Sequence, residues 1–387
     1  SDRYCFPSRL DDADVLAERF AEAPDDHRAA ALYGHWLYAQ GRVDDAVAAW
    51  QRAVELDPAD PVCWRNLGLA AYNDQGDTDR ALDCYRRAVA AAPDDARLAF
   101  EQDQLLARAG VPPAERWARL EPRLDLLLER DDAVVELAHL RLDLGDPDGA
   151  AALLSGREFQ PWEGGEGKAL GAWDRTCLAQ ADTALAAGRP TDALAWLDRA
   201  LEPPASLGEQ RHPLANSARL QLARGDALAA TGDHHGAAVA WADAAGQVGD
   251  FLSMSTTPYS EATAASITAL RRLGRTEDAA RLAAGVARYC DELAATPAEV
   301  DYFATSLPTL LLFTEDPELI KDRRVRFLRA QLAAAEGRRT EALNRLAAIL
   351  TDDPDHTDAI DLRRRLAGPP AEGSSTEESP SLTGEFR

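Results

Sequence analysis

The sequence predicts an all-α protein built from about eight helix pairs, and a recurring pattern of glycine and alanine carries this prediction. A glycine is followed five residues later by an alanine at seven places, and Gly110 with Ala114 is a degenerate eighth case. The seven glycines are Gly41, Gly76, Gly145, Gly188, Gly232, Gly274 and Gly337. Four residues after most of the alanines, one turn along the same helical face, stands a bulky residue such as Trp50, Tyr85 or Trp241. A pattern that returns at a fixed offset indicates a repeated helical unit.

Each unit reads as two helices that meet at its glycine. The glycine ends the first helix, because a residue with positive φ is favoured there, and the acidic or Thr residues after it begin the second, as in "GRVDDA" and "GRTEDA". Twelve residues before the alanine most units carry Gly or Ala, with Gly34 and Gly225 as examples. Glycine inside a helix costs about 0.5 to 1 kcal/mol relative to alanine. Its recurrence therefore predicts that the paired helices approach closely.

The spacing of the pattern divides the chain. Successive glycines, the degenerate one included, are 35, 34, 35, 43, 44, 42 and 63 residues apart. Seven segments follow: an N-terminal segment with one helix (1–26), regular units (27–155), a Trp/Gly-rich insertion (156–168), longer units (169–294), an irregular insertion (295–318), a final unit with a capping helix (319–367) and a disordered acidic tail rich in Ser, Pro and Gly (368–387). We expect longer helices in the segment 169–294, because the spacing is wider there.

The units at 27–60 and 61–95 carry the order aromatic, Gly, Ala, aromatic, Ala and Pro, and they resemble the tetratricopeptide repeat. The resemblance implies an α-solenoid, in which antiparallel helix pairs stack into a right-handed superhelix with a concave groove for a protein or peptide. An α/α toroid of the glycosidase kind is the alternative all-α architecture.

A wider resemblance rests on "FPSRL" (6–10), "WRNLGLAAYN" (64–73), "EQDQL" (101–105), "PWEGGEGK" (161–168) and "DYFATSLP" (301–308). With these stretches the chain resembles the C-terminal half of large actinobacterial proteins. Those proteins carry an N-terminal domain of unknown function, of carbohydrate-active, mutarotase-like character, ahead of a repeat array. The resemblance implies that the chain's partner is such a domain in a longer parent, and that carbohydrate is reached through that parent.

Composition excludes several classes of function. The net charge is -24 and the pI is about 4.7, which argues against nucleic acid, because phosphate binding needs clustered Lys and Arg. No stretch approaches the about 20 apolar residues of a membrane span. The five cysteines are widely spaced without a C-x-x-C pair, which indicates reduced thiols in a cytoplasmic protein. The histidines lack metal-binding spacing, and we expect no metal or cofactor.

The stretch "FQPWEGGEGK" is the most unusual in this helical sequence. A nucleotide-binding loop is excluded, because its first glycine would fall at Trp162 and Ala169 follows the lysine. Two interpretations remain open. The stretch is a structural corner in which Trp162 packs between units, or it is a ligand or domain-docking surface in which Trp162 stacks and Glu163, Glu166 and Lys168 make polar contacts. Glycine-rich backbone before a helix also offers N–H donors to an anion.

Two further groups of residues are candidates for partner binding. Arg65 and Asn66 lie on the first helix of a unit, on or near the groove. Repeat proteins that clamp a peptide carboxylate use such residues, but Leu69 stands where that clamp has Asn, so an inter-helix or capping role for Asn66 is the alternative.

The second group is Glu101, Asp103 and Gln104, which place several polar groups on one helix. Paired carboxylates can do acid–base work, and the other interpretations are a groove contact or a solvated face. Tyr302 in "DYFATSLP", with Thr305 and Ser306, is interpreted as a docking or capping residue.

The leading functional hypothesis is a non-catalytic scaffold that mediates protein–protein or interdomain interaction. The alternative is the helical half of a larger carbohydrate-acting enzyme, which supports or completes that enzyme's active site through the insertions 156–168 and 295–318. A chain that is an all-α enzyme by itself is the weakest of the three. We assign no catalytic residue.

Overall fold

The computed structural model describes residues 5–162, 164–247, 249–252, 255–298 and 312–368. These residues form eight antiparallel helix pairs. The first helices of the pairs are α2 (His27–Ala39), α4 (Pro61–Asn73), α6 (Ala96–Arg108), α9 (Asp131–Asp143), α11 (Lys168–Ala186), α13 (Ala218–Thr231), α15 (Thr263–Arg272) and α17 (Pro317–Ala335). The second helices are α3 (Val43–Leu56), α5 (Thr78–Ala91), α7 (Pro113–Leu120), α10 (Pro147–Ser155), α12 (Pro190–Leu201), α14 (His234–Gly246), α16 (Thr276–Ala295) and α18 (Arg339–Asp352).

Three helices lie outside these pairs. They are α1 (Ala13–Glu22) before the first pair, the short α8 (Leu124–Leu127) after α7, and α19 (Thr357–Ala367) after the last pair. Single 3-10 turns occur at Leu10–Asp12, Glu121–Arg123 and Ala205–Leu207, and a small antiparallel hairpin joins β1 (Asp250–Leu252) to β2 (Ser255–Thr257). Consecutive pairs stack on one another along the chain. The predicted all-α solenoid of about eight helix pairs is confirmed.

The glycines of the repeated pattern end the first helices as predicted. Their φ angles all lie in the left-handed region, between 64° at Gly76 and 89° at Gly232. The connections that contain them are two to four residues long. An L side chain is strained at such φ values, so glycine lets each unit turn sharply there.

Helix approach within a pair also follows the prediction. A Cβ atom placed on Gly34 would lie 2.6 Å from Cδ1 of Trp50, and one placed on Gly68 would lie 2.8 Å from the ring of Tyr85. Gly225 meets the Trp241 ring in the same way. The small residue of the first helix therefore receives the bulky residue of the second.

The wider spacing in the second half of the chain comes mainly from connections. In the first two units the second helix is joined to the next first helix by four residues, at 57–60 and 92–95. The later connections are 156–167, 202–217, 247–262 and 296–316, or 12, 16, 16 and 21 residues. The expectation of longer helices holds for α11 and α16 only, which have 19 and 20 residues. All four long connections join the same ends of the helix pairs, and we call this side of the array the long-connector edge.

The array is closed by its own C-terminal unit. Neighbouring first helices contact one another, as α9 does with α11 and α11 with α13, so the first helices form the inner surface. Phe313, just before α17, is buried against Tyr72 and Tyr85 of the second unit. Helix α19, which follows the last pair, contacts α9 on the inner surface. The C-terminal unit thus lies across the central part of the inner surface and covers it.

Ion pairs hold α19 and the residues before it in place on the inner surface. Arg175 of α11 binds both carboxylate oxygens of Asp361, at 2.7 and 2.9 Å. Arg219 of α13 binds Asp358 at 2.8 Å. Side chains from separate units therefore converge on one capping helix.

The cysteines are unpaired, as predicted. Cys63, Cys84, Cys177 and Cys290 are buried and free, and Cys5 is exposed. Within the described parts of the chain, no helix combines the length and apolar character that crossing a bilayer requires.

Candidate partner-binding surfaces

The part of the inner surface that the C-terminal unit leaves open lies over the first units. A cavity of about 700 Å³ is lined there by residues of α4, α6 and the connections before α6 and α9, among them Val62, Arg65, Arg97 and Arg130. Phe6 lines this cavity and also a smaller one of about 200 Å³ over α2 and α4. We call the two cavities together the N-terminal groove.

Arg65 and Glu101, two of the sequence candidates, meet beneath the N-terminal groove. Arg65 donates from Nε and Nη2 to the two oxygens of Glu101, at 2.6 and 2.9 Å. Arg97 Nε adds a hydrogen bond of 2.7 Å and Tyr85 Oη one of 3.0 Å. Burial raises the pKa of Glu101, but hydrogen bonds and charge from Arg65 and Arg97 lower it by more than burial raises it. The pKa therefore lies below its ordinary value. Glu101 is therefore an ionised anchor for α4, α5 and α6.

Asn66 joins the same network on its other side. Its Oδ1 accepts a hydrogen bond from Arg65 Nη1 at 3.2 Å, and its Nδ2 lies 3.3 Å from Nδ1 of His35. Trp50 Nε1 also donates to His35 Nδ1, at 2.9 Å. Because both donors point at Nδ1, the neutral imidazole carries its proton on Nε2. Burial lowers the pKa of His35 to about 4, which keeps the ring neutral.

Asp103 belongs to a second buried cluster, centred on Arg116. The guanidinium of Arg116 is fully buried and donates to Asp103 at 3.0 and 2.6 Å, to Glu136 at 2.7 Å and to Asp355 at 2.5 Å. Three carboxylates thus share one cation. Burial, the largest cause, raises the pKa of Asp103, and burial with the neighbouring carboxylates raises that of Asp355 to about 7. The cluster ties α6, α7 and α9 to the residues before α19.

The solvated-face interpretation of α6 is wrong for two of its three candidates. Glu101 and Asp103 are both buried, and each is bound by a different arginine. Gln104 is partly exposed, and its backbone carbonyl accepts a hydrogen bond from Arg108 Nη1 at 3.1 Å. The spacing of the two acids along α6 sends them into separate clusters, so they do not form an acid–base pair.

The insertion that contains Trp162 packs as a corner of the long-connector edge. The partly buried Trp162 ring lies directly on Gly165, where a Cβ atom would overlap it, and it packs against the core around Trp173. Phe159 is buried, and its N–H donates to the carbonyl of Ser206 at 2.8 Å. The connection 202–217 is therefore fastened to the connection 156–167.

Two N–H groups at the start of α11, those of Gly167 and Leu170, are already bound within the chain. Glu209 accepts hydrogen bonds from the N–H of Gly167 at 2.6 Å and from the N–H of Leu170 at 2.7 Å. The expectation of free donors at this helix start is corrected by these contacts, because a carboxylate from the neighbouring connection fills the position.

Two of the remaining candidates, Glu166 and Lys168, lie at the start of α11. Lys168 begins α11 and lines a polar cavity of about 420 Å³ with residues of α13 and α19. Glu166 is exposed. Glu163 and Tyr302 lie outside the described residues, as do Thr305 and Ser306.

Sequence reasoning missed several residues that the fold brings to the N-terminal groove. They are Phe6, which the sequence offers only within "FPSRL", and His35, Arg97 and Arg130, which belong to no recognisable motif. Arg97 stands four residues before Glu101, a spacing at which helical side chains of opposite charge meet. That spacing was a usable signal. Over the described residues, no group of His, Cys, Asp and Glu could hold a metal ion.

Comparison with known proteins places repeats in the first third of the chain. A family model for the tetratricopeptide repeat matches residues 13–61, 34–96 and 66–120. The chain therefore contains tetratricopeptide repeats in this region, which holds most of the N-terminal groove.

Solved structures similar to the chain are distant. YrrB, described as a TPR protein with an unusual peptide-binding site, is 15% identical with a TM-score of 0.29 over 60% of this chain and 91% of its own. A tetratricopeptide repeat protein from Parabacteroides merdae is 15% identical with a TM-score of 0.31 over 61% and 85%. Naa15/Naa10 bound to HypK-THB is 14% identical with a TM-score of 0.32 over 90% and 61%.

Proposed function

We propose that the chain is an interaction scaffold that binds an extended segment of a partner protein in the N-terminal groove. One observation carries this proposal: the cavity of about 700 Å³ over the first units is lined by no described residue of the C-terminal unit, whereas the cavity of about 420 Å³ over the central part is also lined by α19. Stacked helical repeats use their concave surface for binding, and short first-unit connections leave this stretch uncovered. No catalytic step is part of the proposal.

The lining of the groove suits a peptide with acceptor groups beside an apolar side chain. The side chains of Arg97 and Arg130 are 44% and 35% exposed, although each also pairs with an acid of the chain. The partly exposed side chain of Val62 supplies apolar surface beside them. Guanidinium groups bind carboxylates and carbonyls strongly when water is partly excluded.

Selection from a displayed peptide library tests this function. Peptides enriched on the wild-type chain are labelled, and their affinity is measured by fluorescence anisotropy. We expect Arg97→Ala and Arg130→Ala each to weaken binding by about tenfold. This factor corresponds to about 1.4 kcal/mol, close to the lower end of what one hydrogen bond to a charged group contributes. Arg86→Ala is the matched control, since Arg86 is an exposed arginine of α5 paired with Asp83. Equal binding by all variants, or no enriched peptide, would refute the groove as the site.

A second candidate function is docking of another domain on the long-connector edge. The observation that favours it is that the four long connections all join the same ends of the helix pairs, with Trp162 in one of them and Lys168 at the start of the helix that follows it. In a longer parent protein, such docking would let the helical chain support or complete the active site of a carbohydrate-acting domain. Glu163, Glu166 and Tyr302 belong to the connections concerned.

Cross-linking of the complete gene product tests the docking proposal. Lys168 and Lys321 are the two lysines of the chain, so an amine-specific reagent reports on few positions. We expect cross-links from Lys168 to the other domain, and weaker association after Trp162→Ala. An association that Trp162→Ala leaves unchanged, with cross-links only elsewhere, would rule the edge out. The unpaired cysteines support a reducing compartment, and we propose a cytoplasmic location.

A further inference from the structure

We propose that residues 5–9 are a displaceable internal occupant of the N-terminal groove, and that the partner segment places an aromatic side chain where Phe6 now lies. This inference rests on the proposed function of the groove and names both its ligand and its regulation. The partner is an extended peptide with acidic residues before its aromatic residue.

The segment 5–9 already binds as an extended peptide would. The carbonyl of Arg9 accepts a hydrogen bond from Trp36 Nε1 at 2.8 Å, and the carbonyl of Ser8 accepts one from Gln40 Nε2 at 3.0 Å. The Phe6 ring lies 5.3 Å from the ring of His35, between the two cavities of the groove. Main-chain contacts give affinity without reading sequence, and the aromatic position gives specificity.

The occupant is held loosely. None of the residues from Cys5 to Leu10 is buried, and Phe6 is 51% exposed. A segment with few buried apolar contacts opens locally at low cost. No side chain of residues 5–10 is buried, so this segment contributes no side chain to the core.

The floor beneath the occupant is rigid by contrast. His35, Trp50 and Asn66 are buried and joined by hydrogen bonds of 2.9 and 3.3 Å to Nδ1 of the imidazole. Tyr38 and Leu69 complete the walls of the smaller cavity. A receptor whose side chains are already fixed loses little entropy when one ligand replaces another.

The larger cavity indicates which residue types should precede the aromatic residue of the partner peptide. The chain runs from Phe6 over α2, where Ser8 and Arg9 make their contacts, so the cavity beside α4 and α6 lies on the other side of the Phe6 ring. Arg97 and Arg130 line that cavity with partly exposed guanidinium groups, beside the acidic residues Asp94, Asp95 and Glu129. Arg97 Nε is bound to Glu101, and Arg130 Nε and Nη2 are bound to Asp132, so among the described residues both Nη groups of Arg97 and Nη1 of Arg130 remain for a partner. Residues before the partner's aromatic side chain would lie against these arginines, and carboxylates fit there.

The test is an anisotropy titration with a fluorescein-labelled peptide of sequence EDSFPSRLD. It carries the natural residues 6–11 behind two acidic residues and a serine. Full-length Phe6→Ala should bind this peptide about tenfold more tightly than wild type, because apparent affinity scales with the fraction of molecules whose groove is open. The peptide EDSAPSRLD should bind neither protein. Val15→Ala, which truncates another exposed apolar residue on α1, should bind as wild type does.

The outcomes separate this inference from the function on which it rests. If EDSFPSRLD binds wild type and Phe6→Ala equally well, the groove binds peptides but residues 5–9 do not gate it, and the inference is overturned. If EDSAPSRLD binds as tightly as EDSFPSRLD, the aromatic requirement is overturned. If library-selected peptides bind through Arg97 while EDSFPSRLD binds neither protein, the inference fails and the proposed function stands. Phe6→Ala should have the same thermal unfolding temperature as wild type, which shows that the variant is folded.

Discussion

Replacing Arg116 by methionine is expected to be among the most destabilising single changes in the chain. Methionine keeps part of the apolar stem and removes the guanidinium. It leaves Asp103, which is buried, without the two hydrogen bonds of 3.0 and 2.6 Å that it now receives. Breaking a buried ion pair in this way costs about 3 to 5 kcal/mol, because a charge is left uncompensated.

Asp355→Asn should behave differently, although Asp355 binds the same guanidinium. Burial, then Glu136, Asp143 and Asp103, raise its pKa from 3.8 to about 7 against the lowering effect of Arg116. A carboxyl group with a raised pKa in the folded state binds its proton more tightly there than in the unfolded chain. Its contribution to the free energy of unfolding therefore becomes less favourable as the pH rises from about 4 to about 7. Asparagine removes this penalty, so the variant should equal or exceed wild type at pH 8.

Urea unfolding at pH 5 and pH 8, followed by tryptophan fluorescence, measures both effects. Hydrogen exchange then shows whether the loss lies in α6, α7 and α9, since repeat arrays can unfold unit by unit. Asp103→Asn is the comparison variant, because it keeps a side chain of similar size in the same buried place. An Arg116→Met variant within about 1 kcal/mol of wild type would refute the reasoning, as surface substitutions have effects of that size. So would an Asp355→Asn variant that is less stable than wild type at pH 8, or an Asp103→Asn variant that loses as much stability as Arg116→Met, because asparagine leaves no buried charge uncompensated.

Three further predictions concern single positions. Gly34→Ala should lower the free energy of unfolding by about 1 to 3 kcal/mol, because the added Cβ overpacks against Trp50. Gly171→Ala should not lower it, because a Cβ there meets nothing within 4 Å, and thermal unfolding compares the two variants. His35, whose pKa burial lowers to about 4, stabilises the fold fully above its unfolded pKa of 6.5 and progressively less as the pH falls toward 4. An NMR titration that places the pKa of its ring near 6.5 would contradict this. Glu209→Gln should weaken the cap of α11 by about 0.5 to 2 kcal/mol, seen as faster hydrogen exchange in its first turn.

The repeat pattern was predictable because its causes are local. A glycine with positive φ and an alanine that opens the next helix are decided within six residues, and the bulky partner of Gly34 stands only 16 residues away, at Trp50. Such features need no knowledge of the remaining chain. The number of helix pairs follows from counting them.

The closure of the array was not predictable in this way. Arg116 and Asp355 are 239 residues apart, and Arg175 and Asp361 are 186 apart. Which arginine meets which aspartate depends on the curvature that accumulates over all the units between them. The partner of the N–H groups before α11 was missed for a related reason, since Glu209 follows 42 residues after Gly167 on a separate connection. Contacts across the array carry no signature in either local sequence.

At the contacts that hold the array together, arginine and lysine are not equivalent. The chain has 42 basic residues, and all but Lys168 and Lys321 are arginine. At three largely buried contacts, those of Arg65 with Glu101, Arg116 with Asp103 and Arg175 with Asp361, the guanidinium binds both oxygens of one carboxylate. The Arg65 and Arg175 contacts join different units, and the Arg116 contact joins the two helices of one pair. A lysine amine is a point charge and cannot form this two-bond contact, so lysine would leave part of each buried carboxylate unsatisfied. In an acidic chain with a net charge of -24, the forks of Arg65 and Arg175 also offset repulsion between carboxylates of different units. Because the Arg116 and Arg175 contacts also hold the C-terminal residues over the central inner surface, we propose the N-terminal groove as the place where a partner binds.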